Sequence, residues 1–499
     1  MSRTASFIRW SCGIAGLCVL SAVAARGTGM SQGTIGPATA SEARAGTVVA
    51  TIGDSMITWG DVARKLAQEI RPHEEQFQQQ TEPVTALSVL RKMLAEKATS
   101  TEGRKLGYLQ DEQIHTDVTQ YEQQLIVGKL LEAELGDKLK IEDAEIDRVM
   151  KSNPKATRDQ ARMVVQRAKV SQLVQQFYGQ VAQNRGLKKM SENLTRAAQI
   201  HQRLLNQPSQ PRGPSEFWIR NGQIVTDLSQ EEKDLPLAVF EGGQFTLQDW
   251  FQSLCNMAPP RRPKDLDTAQ GVEKLLDRAL QVPILAAEAR SKGYDQDPKV
   301  RSDVRTREDQ RLLYKVQEEK TKHVKEPTPE QVKEYFEKDP ERFATPAVLK
   351  ADQIWCPDEE TAKKVKGLLD GGADFQTVKK EHSLQKDSEV YTLSSGSEGI
   401  FWADLWKGEP NQVLGPLRGF YNSGVAWRVV KVQEKTPAQA QPFSEQLANN
   451  IKWVLYAEWR QQAMKEYEQT LLEKHPYEIF SDRLKDLDPL EIAAMPQGN

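Results

Sequence analysis

Residues 346–383 read PAVLKADQIWCPDEETAKKVKGLLDGGADFQTVKKEHS, and after a polar loop residues 399–434 read GIFWADLWKGEPNQVLGPLRGFYNSGVAWRVVKVQE. Leu349–Trp355 and Val425–Val432 are strand-like. In the closing run Val425, Trp427, Val429 and Lys431 alternate with Ala426, Arg428, Val430 and Val432, the period-two pattern of a pleated strand with at least one buried face. Between the strands, residues 359–369 and 374–381 have helical patterning. Strand, two helices and a closing strand within about 90 residues predict a small α+β domain.

These residues resemble a parvulin-type (PpiC, rotamase) peptidyl-prolyl isomerase domain. The resemblance is carried by Ala351-Asp352-Gln353-Ile354, by Gly372-Ala373-Asp374-Phe375 with Glu381-His382-Ser383, by Gly399-Ile400-Phe401, and by Val413-Leu414-Gly415-Pro416 leading into Ala426–Val432. Family members carry His in the first strand, Asp or Cys two residues after the Ser, and His in the last strand. Here those positions hold Gln353, Gln385 and Arg428. The segment that supplies the family's proline pocket is cut to residues 402–412. Around it Phe401, Trp402, Trp406 and Trp427 are the candidate substrate-binding residues, to be read either as core and pocket lining or as an exposed peptide-binding surface.

Prolyl isomerisation has a barrier of about 18–20 kcal/mol, and its catalysis holds a twisted, desolvated amide with a few placed polar groups. It needs no metal, nucleophile or cofactor, and the chain offers no metal-ligand spacing and no phosphate-binding or hydrolase motif. Gln353 can donate a hydrogen bond, but Arg428 sets a permanent cation beside an apolar pocket, which is costly unless paired. Weak or lost isomerase activity is the expectation.

The start of the chain reads as a cleaved export signal over residues 1–25: Arg3 and Arg9, an apolar run from Cys12 to Val23, then Ala22-Val23-Ala24. An uncleaved anchor and lipidation at Cys18 are the alternatives. Residues 26–46 are small and polar, a linker. Formal charge is −3, from 67 Lys and Arg against 70 Asp and Glu without a basic block, so nothing points to nucleic acid. Export leaves Cys255 and Cys356, whose apolar neighbours favour buried thiols over a disulfide.

The rest of the chain carries a duplication. The stretch from Val49 to Asp61 is answered 188 residues later by Leu237–Asp249: two short strands about a Gly-containing turn, then Thr as N-cap with Asp three residues on. At a shift of 186, the helix ending in Lys105-Leu106-Gly107-Tyr108 matches the one ending in Ser291-Lys292-Gly293-Tyr294, and residues 142–154 match 328–340. The unit resembles the N-terminal chaperone region of SurA- and PrsA-like exported foldases. Copy one continues from Pro154 straight into a helix, Arg158–Asn184; copy two reaches its counterpart, Ser444–Lys474, only after the parvulin-like domain.

The fold expected is mainly α with a small α+β domain: a SurA-N-like helical module at 47–206, a linker with an Asn221-Gly222 hairpin at 207–235, and a second module at 236–342. The parvulin-like domain at 343–441 interrupts that second module, which the helix at 442–481 completes before a loose tail at 482–499. The resemblance implies an exported, periplasmic or envelope chaperone whose partners are unfolded or nascent exported polypeptides, with no small-molecule cofactor. An active isomerase and an assembly adaptor for one exported partner are the competing readings.

Overall fold

The computed structural model describes residues 44–71, 84–210, 213, 217–386, 390–422, 424–484 and 487. The expected signal at 1–25 and most of the expected linker lie outside these residues. No helix among the described residues is long and apolar enough to cross a membrane.

Copy one opens with β1 (Val48–Ile52) and β2 (Ser55–Thr58), joined through Gly53 at φ 51°, and passes into α1 (Trp59–Glu69). The entry is a capping box: Thr58 Oγ1 accepts from Asp61 N at 3.2 Å, and the Asp61 carboxylate accepts from Thr58 N at 2.9 Å. There follow α2 (Ala86–Lys105), α3 (Glu112–Leu135), α4 (Asp143–Ser152), α5 (Arg158–Asn184), β3 (Lys188–Lys189) and α6 (Ser191–Asn206). Two short helices, α7 (Asn221–Thr226) and α8 (Gln230–Lys233), lead to copy two.

Copy two repeats the plan as β4 (Pro236–Phe240), β5 (Gly243–Thr246), α9 (Leu247–Cys255), α10 (Ala269–Ala279), α11 (Gln281–Ser291), α12 (Pro298–Thr321) and α13 (Pro329–Lys338). Thr246 and Asp249 form the same capping box as Thr58 and Asp61. Both ends of α12 fall 186 residues after those of α3. Where α2 is one helix, copy two has two, because Pro283 stands in place of Lys97 and supplies no backbone N–H to a continuous helix.

The described residues divide into two compact units, one built from residues 110–308 and the other from residues up to 109 together with those from 309 onward. In the first, β3 pairs antiparallel with β4 and β4 with β5, with Ala238 opposite Lys189. Its core gathers Ile126, Leu130, Val174, Val181, Trp250, Phe251, Leu276 and Ile284. In the second, β10 (Tyr477–Ile479) pairs with β1 and β1 with β2, with Ala50 opposite Ile479. Val49, Leu66, Leu90 and Leu94 there meet Leu471 from α18 (Glu445–Lys474).

These memberships correct the tandem modules expected at 47–206 and 236–342 with 442–481. Each unit takes its N-terminal half from one copy and its C-terminal half from the other. α18 packs on α2 and α13 and touches the end of α12 through Arg460 with Thr321 and Tyr467 with Lys320, while residues 275–289 join the other unit's core. The physical reason is that a repeat fixes which faces are complementary but not which copy supplies each face. Two further expectations fail. Asn221-Gly222 opens a helix instead of a hairpin, since Ile219 and Ile224 are both drawn into the core and Arg220 N bonds Gln223 Oε1 at 3.1 Å across the first turn. The segment after Asp482 is not loose where described: Leu484 and Leu487 are buried in the second unit's core.

The insertion lies between α13 and α18. It comprises β6 (Val348–Cys356), α14 (Glu359–Asp370), α15 (Phe375–His382), β7 (Tyr391–Ser394), α16 (Ser395–Glu398), α17 (Trp402–Trp406), β8 (Val413–Tyr421) and β9 (Gly424–Thr436). Its four strands form an antiparallel sheet in the order β7-β6-β9-β8. Entry and exit run side by side, Thr345 N donating to Gln439 O at 2.8 Å, and Phe343 packs with Val332, Leu447 and Ile451. Beyond it the repeat resumes at an offset of 290. α5 and α18 end at Asn184 and Lys474, and buried Ala161, Val165, Val174 and Val181 correspond to buried Ile451, Leu455, Met464 and Leu471.

Candidate functional site

The inserted sheet has two chemically different faces. On one, Ile354, Cys356 and Val429 pack with Ala362 and Val365 of α14 and Phe375 and Val378 of α15. Trp427 belongs to this face, with the Arg418 guanidinium 5.0 Å from its ring. Here too lies a buried ion pair, Lys379 Nζ to Asp352 Oδ1 at 2.6 Å, with Gln376 Nε2 on the other carboxylate oxygen at 2.5 Å. Burial lifts the Cys356 thiol to about 11, so it stays protonated and inert at neutral pH.

The opposite face carries the family positions. Arg428 sits opposite Trp355 in the ladder, and Gln353 opposite Val430. The Arg428 guanidinium is 1% exposed. It donates from Nη1 to Gln353 Oε1 at 2.7 Å and from Nη2 to Glu398 Oε2 at 2.5 Å, and it lies 4.9 Å from the centroid of the Trp355 ring. On its other side is the Gly419 backbone. A Cβ there would stand 2.4 Å from Arg428 Cζ, so no larger residue fits without moving the guanidinium. Gln353 and Glu398 are themselves buried. The centre of this face is thus filled by a hydrogen-bonded cation, its counterion and an amide, with an aromatic ring beside it.

Gln385 takes a different place: its side chain donates to Tyr391 Oη at 2.7 Å, and its backbone N–H donates to Ser383 Oγ at 3.2 Å. Ser383 Oγ also accepts from Trp355 N at 3.1 Å, so the family Ser acts here as a clasp between α15 and β6. Of the candidate binding residues, Trp402 and Trp406 come together, stacked at 5.3 Å and packed among Leu349, Leu393, Leu405, Val430 and Val432. Phe401 meets Phe420 edge-on at 4.9 Å. The tip of the β8–β9 hairpin is held from outside the insertion: Arg71, just past α1, reaches Asn422 O and Gly424 O, and its guanidinium is 5.4 Å from the Phe420 ring.

Glu398 is the residue that sequence reasoning missed. Its signal was available in principle, since an inward-facing Arg on a strand requires an anion nearby, but several carboxylates flank the sheet in sequence and the pattern does not choose among them. Cys255 and Cys356 are free thiols, and no cluster of metal-ligating side chains occurs among the described residues.

Residues 327–446 match the model of the PPIC-type PPIase domain (Rotamase_2). This is the family that residues 346–434 resemble in sequence, and the matched span runs from α13 to the start of α18. Among solved structures, one reported for the Campylobacter jejuni proteins PEB4 and Cj1289, described as SurA-like chaperones, is similar at 17% identity over 42% of this chain and 85% of that one, with a TM-score of 0.21. The PrsA peptidylprolyl isomerase of Bacillus anthracis is similar at 21% identity over 34% of this chain and 72% of its own, with a TM-score of 0.20. PrsA of Bacillus cereus aligns at 18% identity over 51% and 97%, with a TM-score of 0.22. No curated protein sequence matches the chain.

Proposed function

We propose that this protein is an exported folding chaperone that holds unfolded polypeptides, and that its PPIC-type domain has kept the fold while losing prolyl isomerisation. The observation that carries the second half is the Arg428 guanidinium, buried between Gln353, Glu398, Trp355 and Gly419 where a proline ring and its twisted amide would have to enter. Admitting substrate means expelling a paired cation from a dry site, which costs several kcal/mol before any catalytic contact is made. The holding role is supported by the repeat itself. α5 and α18 each present a large apolar side chain at the same repeat position in their N-terminal thirds, Met163 at 59% and Trp453 at 46% exposure. Chains that expose apolar segments before folding are the ligands such positions suit.

The test uses the full-length protein in two assays. Isomerisation of a proline-containing model peptide is expected to proceed at the uncatalysed rate. Aggregation of an unfolded exported protein is expected to be suppressed, and suppression should weaken in the M163E/W453E variant. Saturable turnover of the peptide would overturn the first half, and undiminished holding by the double variant would overturn the assignment of the surface.

A further inference from the structure

The segment β1–α2 finds its partners more than 350 residues away in β10 and α18, although a complementary set, β3 and α5, lies in its own copy. The two sets are interchangeable in backbone terms. Thr51 faces Glu478 while the equivalent Val239 faces Lys188, and Phe480 N donates to Val49 O while Met190 N donates to Leu237 O. Something other than strand register must decide between crossed and self-closed pairing.

The hinges supply that decision. α11, the counterpart of the end of α2, finishes on α3 between Glu122, which takes Arg290 at 2.5 Å, and Glu134, which takes Lys292. For α2 to occupy that place, its end would have to stand near the middle of α3. That point is about 24 Å from where α3 begins, at 1.5 Å per residue. The seven Cα–Cα steps from Lys105 to Glu112 span about 24 Å only when fully stretched, and the hinge would also have to cross the 8–10 Å between helix axes. In the structure this hinge is wound instead: Gly107 at φ 76°, a 3₁₀ turn at Tyr108–Gln110, and Asp111 capping α3. The second hinge is built alike, with Gly293 at φ 78°, a turn at Tyr294–Gln296, and Asp297 accepting from Lys299 N and Val300 N.

Side chains at the seams agree. Asp309 takes both Lys97 and Arg104, but its counterpart on α3 is Gln123. Lys189 takes Glu273 and Asp277, whose counterparts on α2 are Leu87 and Arg91. Self-closure would set Lys189 against Arg91 and Lys97 against Gln123, although Arg104, the counterpart of Arg290, would still find Glu122. Gly103 adds a steric term: a Cβ there would come within 3.1 Å of Val316 and 3.2 Å of Leu312, whereas copy two carries Ala289 at that position.

We propose that the short hinges, backed by these seam charges, lock the two copies into reciprocal exchange, and that residues 48–105 are a segment whose suppressed alternative partner is residues 112–206 of its own copy. The chain is thereby a single-chain counterpart of a swapped pair.

The full-length triple variant T51C/K188C/E478C makes residue 51 choose between the two arrangements, and mass spectrometry after refolding and oxidation reads the choice. The bond from 51 to 478 within one chain is expected to dominate, with at most about a tenth in 51 to 188; inserting eight Gly/Ser residues between Gly107 and Tyr108 should raise that share to about half, since loop closure depends only weakly on loop length. Adding the charge exchange D309Q/Q123D to the lengthened hinge should raise it further. A dominant 51–188 bond in the unlengthened chain, or a 51–478 bond joining two chains, overturns the crossed assignment. An unchanged ratio on lengthening overturns the role of the hinge.

Discussion

Copy one passes from α4 to α5 across five residues, whereas copy two takes more than a hundred to pass from α13 to α18. The helices on either side are nonetheless built alike: Ile146 and Val332 are the buried residues of α4 and α13, and four buried positions of α5 and α18 coincide at one offset. An exposed turn between two helices can absorb a whole domain when the inserted chain enters and leaves at one point, as residues 345 and 439 do here. The comparison also separates two kinds of burial. The repeat units are held by apolar stripes, while the centre of the inserted sheet is held by a charged pair.

The largest effects should come from breaking that pair on one side only. Glu398→Ala leaves the Arg428 guanidinium buried without its anion and is expected to destabilise the inserted domain by about 3–5 kcal/mol, read as loss of its strands' amide protection. Leu471→Ala, fully buried against the β1–α2 core, should cost about 2–5 kcal/mol, with the exchange of residues 48–69 and 86–105 rising together. If those segments stay protected while residues 275–291 loosen, α18 closes the other unit.

His201 gives an effect of intermediate size, confined to the first unit. It lies 6.0 Å from the Trp250 ring and 6.3 Å from Phe251, and burial, aided by Arg262 and opposed by Asp267, lowers it to about 4. A depressed imidazole means that the unfolded chain binds the proton first. Stability is therefore full above about pH 6.5, falls as pH drops from 6.5 to 4, and is flat with respect to this group below 4. The loss is on the order of 3 kcal/mol, and His201→Phe should remove most of that pH dependence in chemical denaturation. The smallest change is expected from R428M/E398Q, which replaces the ion pair by groups of similar volume and should leave stability within about 1–2 kcal/mol of the parent or raise it.

Much of the fold is legible in the sequence. The capping boxes at Thr58 and Thr246, the glycines at 107 and 293 and the alternation of β9 all depend on local chemistry, and each stands where its pattern places it. Two kinds of feature are not legible. Which copy completes which unit depends on hinge reach and on seam charges such as Asp309, which mean nothing until helices are placed in space. The site is only half legible: Gln353 and Arg428 mark themselves as departures from the family, but the hydrogen bond between them, the Glu398 counterion and the placing of Trp427 on the far face all follow from strand pairing rather than from spacing. The Asn221-Gly222 dipeptide shows the limit of turn signals, because burying Ile219 and Ile224 outweighs a local preference for a hairpin.

In the proposed reading, Arg428 closes the face on which a prolyl isomerase would act. The most direct measurement is a titration of the full-length protein, labelled at its tryptophan indoles, with a proline-containing peptide, following the Trp355 indole resonance by NMR. With the guanidinium fixed 4.9 Å from that ring, Trp355 is expected not to shift at millimolar peptide. A saturable shift of Trp355, accompanied by exchange broadening between cis and trans peptide signals, would contradict it.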